Sequence, residues 1–452
     1  MRSPRLVFAA PASGSGKTTV TCGILQALKN RGKHVFSFKC GPDYIDPMFQ
    51  EQVIGVRSGT LDLFFSGEET LRRLYGRNAA GADISIIEGV MGFYDGLGTA
   101  TDEASTYHVA KVLHAPVILI VNARGQALSA LAEVEGFLRF RPDSGIRGVI
   151  FNQMSEGVFR ALAPEVRKLG LLPVGYVPKV PELVIESRHL GLVTPGEIRD
   201  LHERLEKLAE LLEKTLDLDA LERLAEEAPE LACPADPPVP PMPKTKIAVA
   251  KDEAFCFLYR DNLALLQAYG AELLYFSPIH DETLPEGAQG LLLPGGYPEL
   301  YAEALSENLP MREAVAAAIR GGMPCLAECG GFLYLHRELE DMNGAFWPMA
   351  GVLDARAYRT NRLGRFGYVT LNALADSAFF AAGETIRAHE FHYFDSESCG
   401  GDFRAEKPTG SRSWTCIHAR GDLLAGFPHL FYESNPRPIE RFLRRCGQSG
   451  GK

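Results

Sequence analysis

The chain has 452 residues, enough for two or three domains. Its 47 Lys and Arg against 57 Asp and Glu leave a net charge of −10, which argues against the broad basic face a nucleic-acid binder needs. No apolar run reaches the ~20 residues of a membrane-spanning helix, and nine scattered cysteines without a CxxC pair fit reduced thiols in a cytoplasmic protein better than a disulfide framework or a zinc site.

In chain order, RLVFAA (5–10) reads as a buried strand, followed by a Gly/Ser loop and a helix ending at Gly32. Further apolar strands are predicted at 34–40, 84–90, 115–123, 147–153 and 172–178, with helical stretches between most of them. Apolar strands alternating with helices imply a parallel sheet covered on both faces. Residues 196–228 read as amphipathic helix with Leu201, Leu205, Leu208, Leu212 and Leu216 on one face; barely four heptads long, it is expected to pack on its own domain rather than in a coiled coil. The proline cluster at 230–245 reads as a semi-rigid linker between domains at 1–229 and 246–446. Beyond it the α/β pattern restarts, with strands at 246–252, 290–296 and 323–331.

Between the first strand and helix lies Ser13-Gly14-Ser15-Gly16-Lys17-Thr18-Thr19, the context of a phosphate-binding loop. Glycines let backbone N–H groups converge on phosphate oxygens at a helix N-terminus. Lys17 is then expected to reach the terminal phosphates of a bound nucleotide and Thr18 to bind Mg²⁺. Pro11 stands where the usual GxxxxGK[ST] pattern has its first glycine, and Ala12 where partition ATPases carry a second lysine. Four acids lie just beyond predicted strand ends, where open α/β sheets bind ligands: Asp43 and Asp46 in KCGPDYIDP, Glu88 closing ISIIE, and Asp95 in GVMGFYDG.

In the second half, Ala327-Glu328-Cys329-Gly330-Gly331 joins an apolar strand to a predicted helix at 332–338. A cysteine on such a turn is expected to be exposed, with a helix N-terminus lowering its pKa. Cys325, inside the strand, reads as structural. A nucleophile needs a base, and His429 in the loop AGFPHLF is the candidate; Gly295 and Gly296 in LPGGY offer an oxyanion hole. His389-Glu390-Phe391-His392 is not HExxH, and on a strand its histidines would face opposite ways, so it is expected to be structural or substrate-contacting rather than a metal site.

These motifs, with ESRHLGL, RLGRFGYV and FPHL, resemble the cobyrinic acid a,c-diamide synthase family, in order from about residue 6 to residue 431. The resemblance implies an α/β chain: an N-terminal P-loop NTPase-like domain with a mostly parallel sheet, and a C-terminal class I glutamine amidotransferase-like domain. It implies ATP and Mg²⁺, glutamine hydrolysis by Cys329 and His429, and amidation of two acetate carboxylates of a corrinoid through acyl phosphates. Gly14 to Thr19 would hold ATP. Thr18, Asp43, Asp46 and Glu88 would serve the metal, and Asp95, Arg188, His189, Arg362 and Arg365 the active site or the polycarboxylate. Class I enzymes carry Glu two residues after the histidine; here that position is Phe431, which implies a dyad, with Glu433 the nearest acid. The nickel-sirohydrochlorin a,c-diamide synthases share the motifs. A regulatory ATPase with an inactive amidotransferase domain is the reading from another class, and homo-oligomerisation stays open.

Overall fold

The computed structural model describes residues 2–183 and 195–449. Arg188 and His189 fall outside the described residues. Two compact units, Met1–Asp236 and Pro237–Lys452, divide the chain.

The first unit contains strands β1 (Arg5–Ala9), β2 (Val35–Cys40), β3 (Arg57–Leu61), β4 (Ile84–Glu88), β5 (Val117–Asn122), β6 (Ile146–Asn152) and β7 (Leu172–Val177). They form one sheet in the order β3-β2-β4-β1-β5-β6-β7, and every pairing is parallel. Helices α1 (Lys17–Asn30), α2 (Ile45–Phe49), α3 (Glu68–Asn78), α4 (Thr106–Val112), α5 (Ser129–Phe140), α6 (Glu156–Lys168), α7 (Pro195–Thr215) and α8 (Leu218–Glu226) complete it. Residues of β4, β1 and β5 feed two apolar cores, one with α1, α7 and α8, the other with α3 to α6. Six of the seven strands match the predicted segments. The seventh, β3, has the sequence RSGTL; it lacks an apolar run because it sits at the sheet edge.

The amphipathic stretch is two helices, since Asp217 caps α8 by accepting the N–H of Ala220 at 2.9 Å. Leu205, Leu208, Leu212 and Leu216 are buried, and Leu201 packs beside them. A Cβ at Gly23 in α1 would lie 2.6 Å from Leu212 Cδ1 and 2.7 Å from Leu208 Cγ. The face therefore packs within its own unit, on α1.

Residues 229–244 carry no helix or strand. Leu231 is nonetheless buried in the first unit's core, and Asp236 pairs with Arg73 at 2.7 Å. The start of the proline-rich segment is thus bound to the first unit rather than spanning freely.

The second unit opens with β8 (Thr245–Ala250), β9 (Phe255–Phe257), β10 (Ala271–Phe276), β11 (Gly290–Leu293), β12 (Gly295–Gly296) and β13 (Cys325–Glu328). A six-stranded sheet runs β10-β8-β11-β13, then Leu423–Gly426 and His418–Arg420, parallel except for the last pair. A second, antiparallel sheet of five strands places Phe366–Ala373 against Thr385–Phe391, and that strand against His429–Leu430. The predicted helix at 332–338 is instead a short helix, Gly330–Tyr334, followed by a strand, His336–Glu340. Tertiary pairing with Leu353–Arg359 takes the C-terminal half of that segment away from the helix. Among the described residues no helix is long and apolar enough to cross a membrane.

Candidate active site

The phosphate loop lies at the C-terminal end of β1. Gly14 and Gly16 have φ of 76° and 92°, a left-handed backbone that glycine adopts without strain. Gly16 precedes α1, no side chain caps the helix, and Lys17 and Thr18 open its first turn with Thr19 behind them. The Ser15 hydroxyl donates to Ala12 O at 2.9 Å. Asn152, at the end of β6, donates to Ser15 O at 2.9 Å and braces the loop; a Cβ at Gly16 would lie 2.1 Å from that amide nitrogen. Lys17 Nζ donates to Met91 O at 2.7 Å and Ala12 O at 3.2 Å. Burial, then the charge of Lys39, brings the Lys17 ammonium down to about 8, against opposing pulls from Glu88 and Asp95.

Three predicted residues meet in one network. The Thr18 hydroxyl donates to Glu88 Oε1 at 2.7 Å. Lys39 Nζ donates to the same oxygen at 2.7 Å and to Asp46 Oδ2 at 2.5 Å. Gln50 Nε2 donates to Glu88 Oε2 at 3.3 Å. Lys39, Asp46 and Glu88 are all nearly inaccessible to solvent. Burial opposes the charge on Lys39, but Glu88 and Asp46 overcome it and hold the ammonium well above its ordinary value. Burial pushes the Glu88 carboxyl up, with Lys39 opposing. Asp43 adjoins the network: its carboxylate accepts the N–H groups of Ile45 and Asp46 at 2.9 and 3.2 Å, and burial raises it to about 6. Asp95 is exposed and accepts the Gly92 N–H at 2.9 Å, closing the turn before it.

Asp46 Oδ1 is buried with no hydrogen-bond partner, an acceptor left over beside the Lys39 contact on Oδ2. Among the described residues no three acids, cysteines or histidines form a closed metal cage. Mg²⁺ takes oxygen ligands and keeps waters and phosphate oxygens as most of them, and Thr18, Asp46 and Glu88 offer oxygens beside the phosphate loop. The residues present therefore fit the ion.

In the second unit, Cys329 links β13 to the helix Gly330–Tyr334 with φ 46° and ψ −102°, a conformation that costs about 1–3 kcal/mol and marks a nucleophile elbow. The strain persists because its backbone is pinned: Cys329 N–H donates to Gly426 O at 2.8 Å, and Cys329 O accepts the Leu333 N–H at 2.9 Å. Gly295-Gly296 lies alongside. A Cβ at Gly330 would lie 2.8 Å from Gly296 N, and one at Gly295 only 2.3 Å from His429 Cε1. Side-chain-free glycines are what let the elbow, the predicted oxyanion loop and the imidazole converge.

Two expectations are corrected here. Cys329 is buried, at 5% exposure, and burial, then the Glu299 charge, raises its thiol pKa instead of lowering it. His429 is not in a loop: it pairs directly with His389 across two antiparallel strands. Burial, then His389 and His392, brings its imidazole down to about 3, so it is uncharged at neutral pH. Cys325 is buried as expected. His389 lies in the strand and His392 beyond it, bonded to Phe394 O at 2.5 Å and Glu390 Oε1 at 3.3 Å.

Arg362 is exposed. Arg365 is committed to Asp395, close to Cys399 and over the Phe427 ring. Both belong to the second unit. Sequence reasoning missed Lys39, Gln50, Asn152 and Glu299. Lys39 had a signal: a charge inside the strand VFSFKC must have a partner when buried. Burial lifts Glu299, three residues beyond Gly296, to about 7.

Residues 6–214 match the CobQ/CobB/MinD/ParA nucleotide binding domain family, and residues 246–436 the CobB/CobQ-like glutamine amidotransferase domain family. A protein of Caldanaerobacter subterraneus named cobyrinate a,c-diamide synthase is 41% identical over 99% of both chains. Proteins of the same name from Listeria innocua (96% of this chain, 97% of the relative) and Clostridium acetobutylicum (98% and 100%) are each 40% identical. With a nucleotide-binding domain followed by a glutamine amidotransferase domain, as in these full-length relatives, the chain belongs to the cobyrinate a,c-diamide synthase family, the amidotransferase ligases of cobalamin biosynthesis.

Proposed function

We propose that this chain is a cytoplasmic enzyme that uses ATP and glutamine to amidate the a- and c-acetate carboxylates of cobyrinate, and that its two units divide the chemistry. In the second unit the Cys329 thiolate attacks the side-chain amide carbon of glutamine. His429 takes the thiol proton and returns it to the departing ammonia, leaving a glutamyl thioester that water hydrolyses. The imidazole is unprotonated at neutral pH, as a proton acceptor must be, while the burial that keeps it so also weakens it as a base. The N–H groups of Gly295 and Gly296 would steady the oxyanion.

In the first unit a substrate carboxylate oxygen attacks the γ-phosphorus of ATP, giving an acyl phosphate and ADP. Ammonia then attacks the acyl carbon and phosphate leaves. Gly14 to Thr19 would cradle the phosphates, and Lys17 would neutralise charge on the transferred group. Thr18, Glu88 and Asp46 would hold Mg²⁺, which supplies charge neutralisation to the phosphates when bound. Asp43 would keep the Asp46 segment in place through its two backbone contacts.

The observation that carries the reading is the strained Cys329 elbow, with His429 packed on Gly295 beside it. The test is a mass-spectrometric amidation assay with ATP, Mg²⁺ and glutamine, offering cobyrinate, hydrogenobyrinate and nickel-sirohydrochlorin in parallel. Two amides on cobyrinate are expected. Two amides on nickel-sirohydrochlorin alone would move the substrate, and ATP consumption without any amide would overturn the synthase reading.

A further inference from the structure

Beside the phosphate loop the first unit has a cavity of about 470 Å³, lined by Pro11, Tyr94, Asp95, Phe137 and Phe140 with the α5 residues Ala132, Glu133 and Gly136. The volume is in the range of small-molecule sites. Pro11 belongs to the phosphate loop, and a Cβ at Gly92 would lie 2.4 Å from Asp95 Oδ2 and 2.6 Å from Pro11 O, so the cavity borders that loop. Its walls are aromatic: Tyr94 and Phe137 stack at 5.6 Å and 18°, and Phe140 packs 5.0 Å from Tyr94. Phe140 is nevertheless 59% exposed, an apolar surface left open at the mouth.

Gly136 is the unexpected residue. Glycine inside a helix costs about 1 kcal/mol relative to alanine. Gly23 in α1, under Leu208 and Leu212, and Gly76 in α3, against Cys233, have packing reasons, while Gly157 in the first turn of α6 has none. At Gly136 a Cβ would meet nothing within 4 Å. It lines the cavity, and no packing contact calls for a glycine there.

We propose that this cavity receives one edge and face of the tetrapyrrole macrocycle, with Tyr94, Phe137 and Phe140 stacking on the ring system and Gly136 leaving room for it. The inference rests on the synthase reading above. A flat conjugated ring is the ligand that aromatic walls suit. Asp95 and Glu133 share the lining, so the cavity selects the uncharged ring surface. The carboxylate arms are left to the outside, where Arg141, ion-paired with Asp102 at 2.8 Å, lies 4.5 Å over Phe140. Placed so, a peripheral carboxylate extends toward Lys17 and Thr18.

The test is steady-state amidation of cobyrinate by the full chain, with equilibrium dialysis of cobyrinate read by its visible absorbance. Gly136→Leu fills the cavity from a position whose Cβ is free, so its Tm serves as the control for folding. Its macrocycle KM and Kd are expected to rise about tenfold or more, with ATP affinity retained. Phe140→Ala is expected to raise the same two constants about fivefold through lost stacking. Unchanged macrocycle constants in both variants overturn the inference while leaving the synthase reading intact. So does weakened ATP binding instead, which would assign the cavity to the nucleotide, or a change only in oligomeric mass, which would make it an interface between copies. A wild-type chain that amidates no macrocycle fails earlier, at the synthase reading itself.

Discussion

Removing the Lys39 ammonium would strand two buried carboxylates. Lys39→Met is therefore expected to cost the first unit about 3–5 kcal/mol, the penalty of an unpaired buried charge, in denaturant unfolding. Mg²⁺ with ATP should recover more stability in this variant than in the wild type, because the ion supplies the missing positive charge; equal recovery would show that Lys39 does not compensate the acids. Lys17 carries a second prediction. Its pKa is lowered to about 8, so it is charged below that pH and loses its proton as pH rises through it. ATP affinity of the nucleotide-free enzyme should fall above about pH 8, and Lys17→Arg, which stays charged, should flatten that dependence. A pH-independent Kd between 7 and 9 in the wild type would contradict the burial effect.

At the scale of elements, the contact of α1 with α7 depends on one small residue. Gly23→Val would drive a branched side chain into Leu208 and Leu212, and overpacking of this kind costs about 1–3 kcal/mol. The measurement is thermal unfolding. Because α1 carries Lys17 and Thr18, nucleotide affinity should weaken with it. A stable Gly23→Val variant would mean that α7 moves aside easily. The elbow shows the same logic in the other unit: Gly295, Gly296 and Gly330 lack side chains where the Cys329 loop, the β12 backbone and the His429 ring crowd together. Short, glycine-lined elements are what let the Cys329 turn, Gly295-Gly296 and the His429 ring pack this closely.

For the whole molecule, two units with separate cores imply separable activities. Cys329→Ser is expected to lose glutamine-dependent amidation by about 10³-fold or more while retaining amidation driven by ammonium salts. Mass spectrometry of the corrinoid product with each nitrogen source checks it. Loss of both reactions would show that Cys329 serves more than glutamine.

Patterns local in the chain determined much of this by themselves. Apolar strands alternating with helices gave the α/β class. The Gly-Lys-Thr turn and the Ala-Glu-Cys-Gly-Gly turn marked both candidate sites, because backbone chemistry at a strand-to-helix turn needs glycine at fixed spacing. Leu205, Leu208 and Leu212 showed their buried face through helical period. Tertiary structure decided what depends on partners distant in the chain. It brought Lys39 of β2 to Glu88 of β4 and Thr18 of α1, gathered the antiparallel strands that carry His389 opposite His429, and turned half of a predicted helix into a strand. It also buried Cys329, reversing the expected shift of its pKa. Charge, burial and strand pairing are sums over neighbours that only the folded chain assembles, whereas turn geometry and amphipathic period are properties of a dozen consecutive residues.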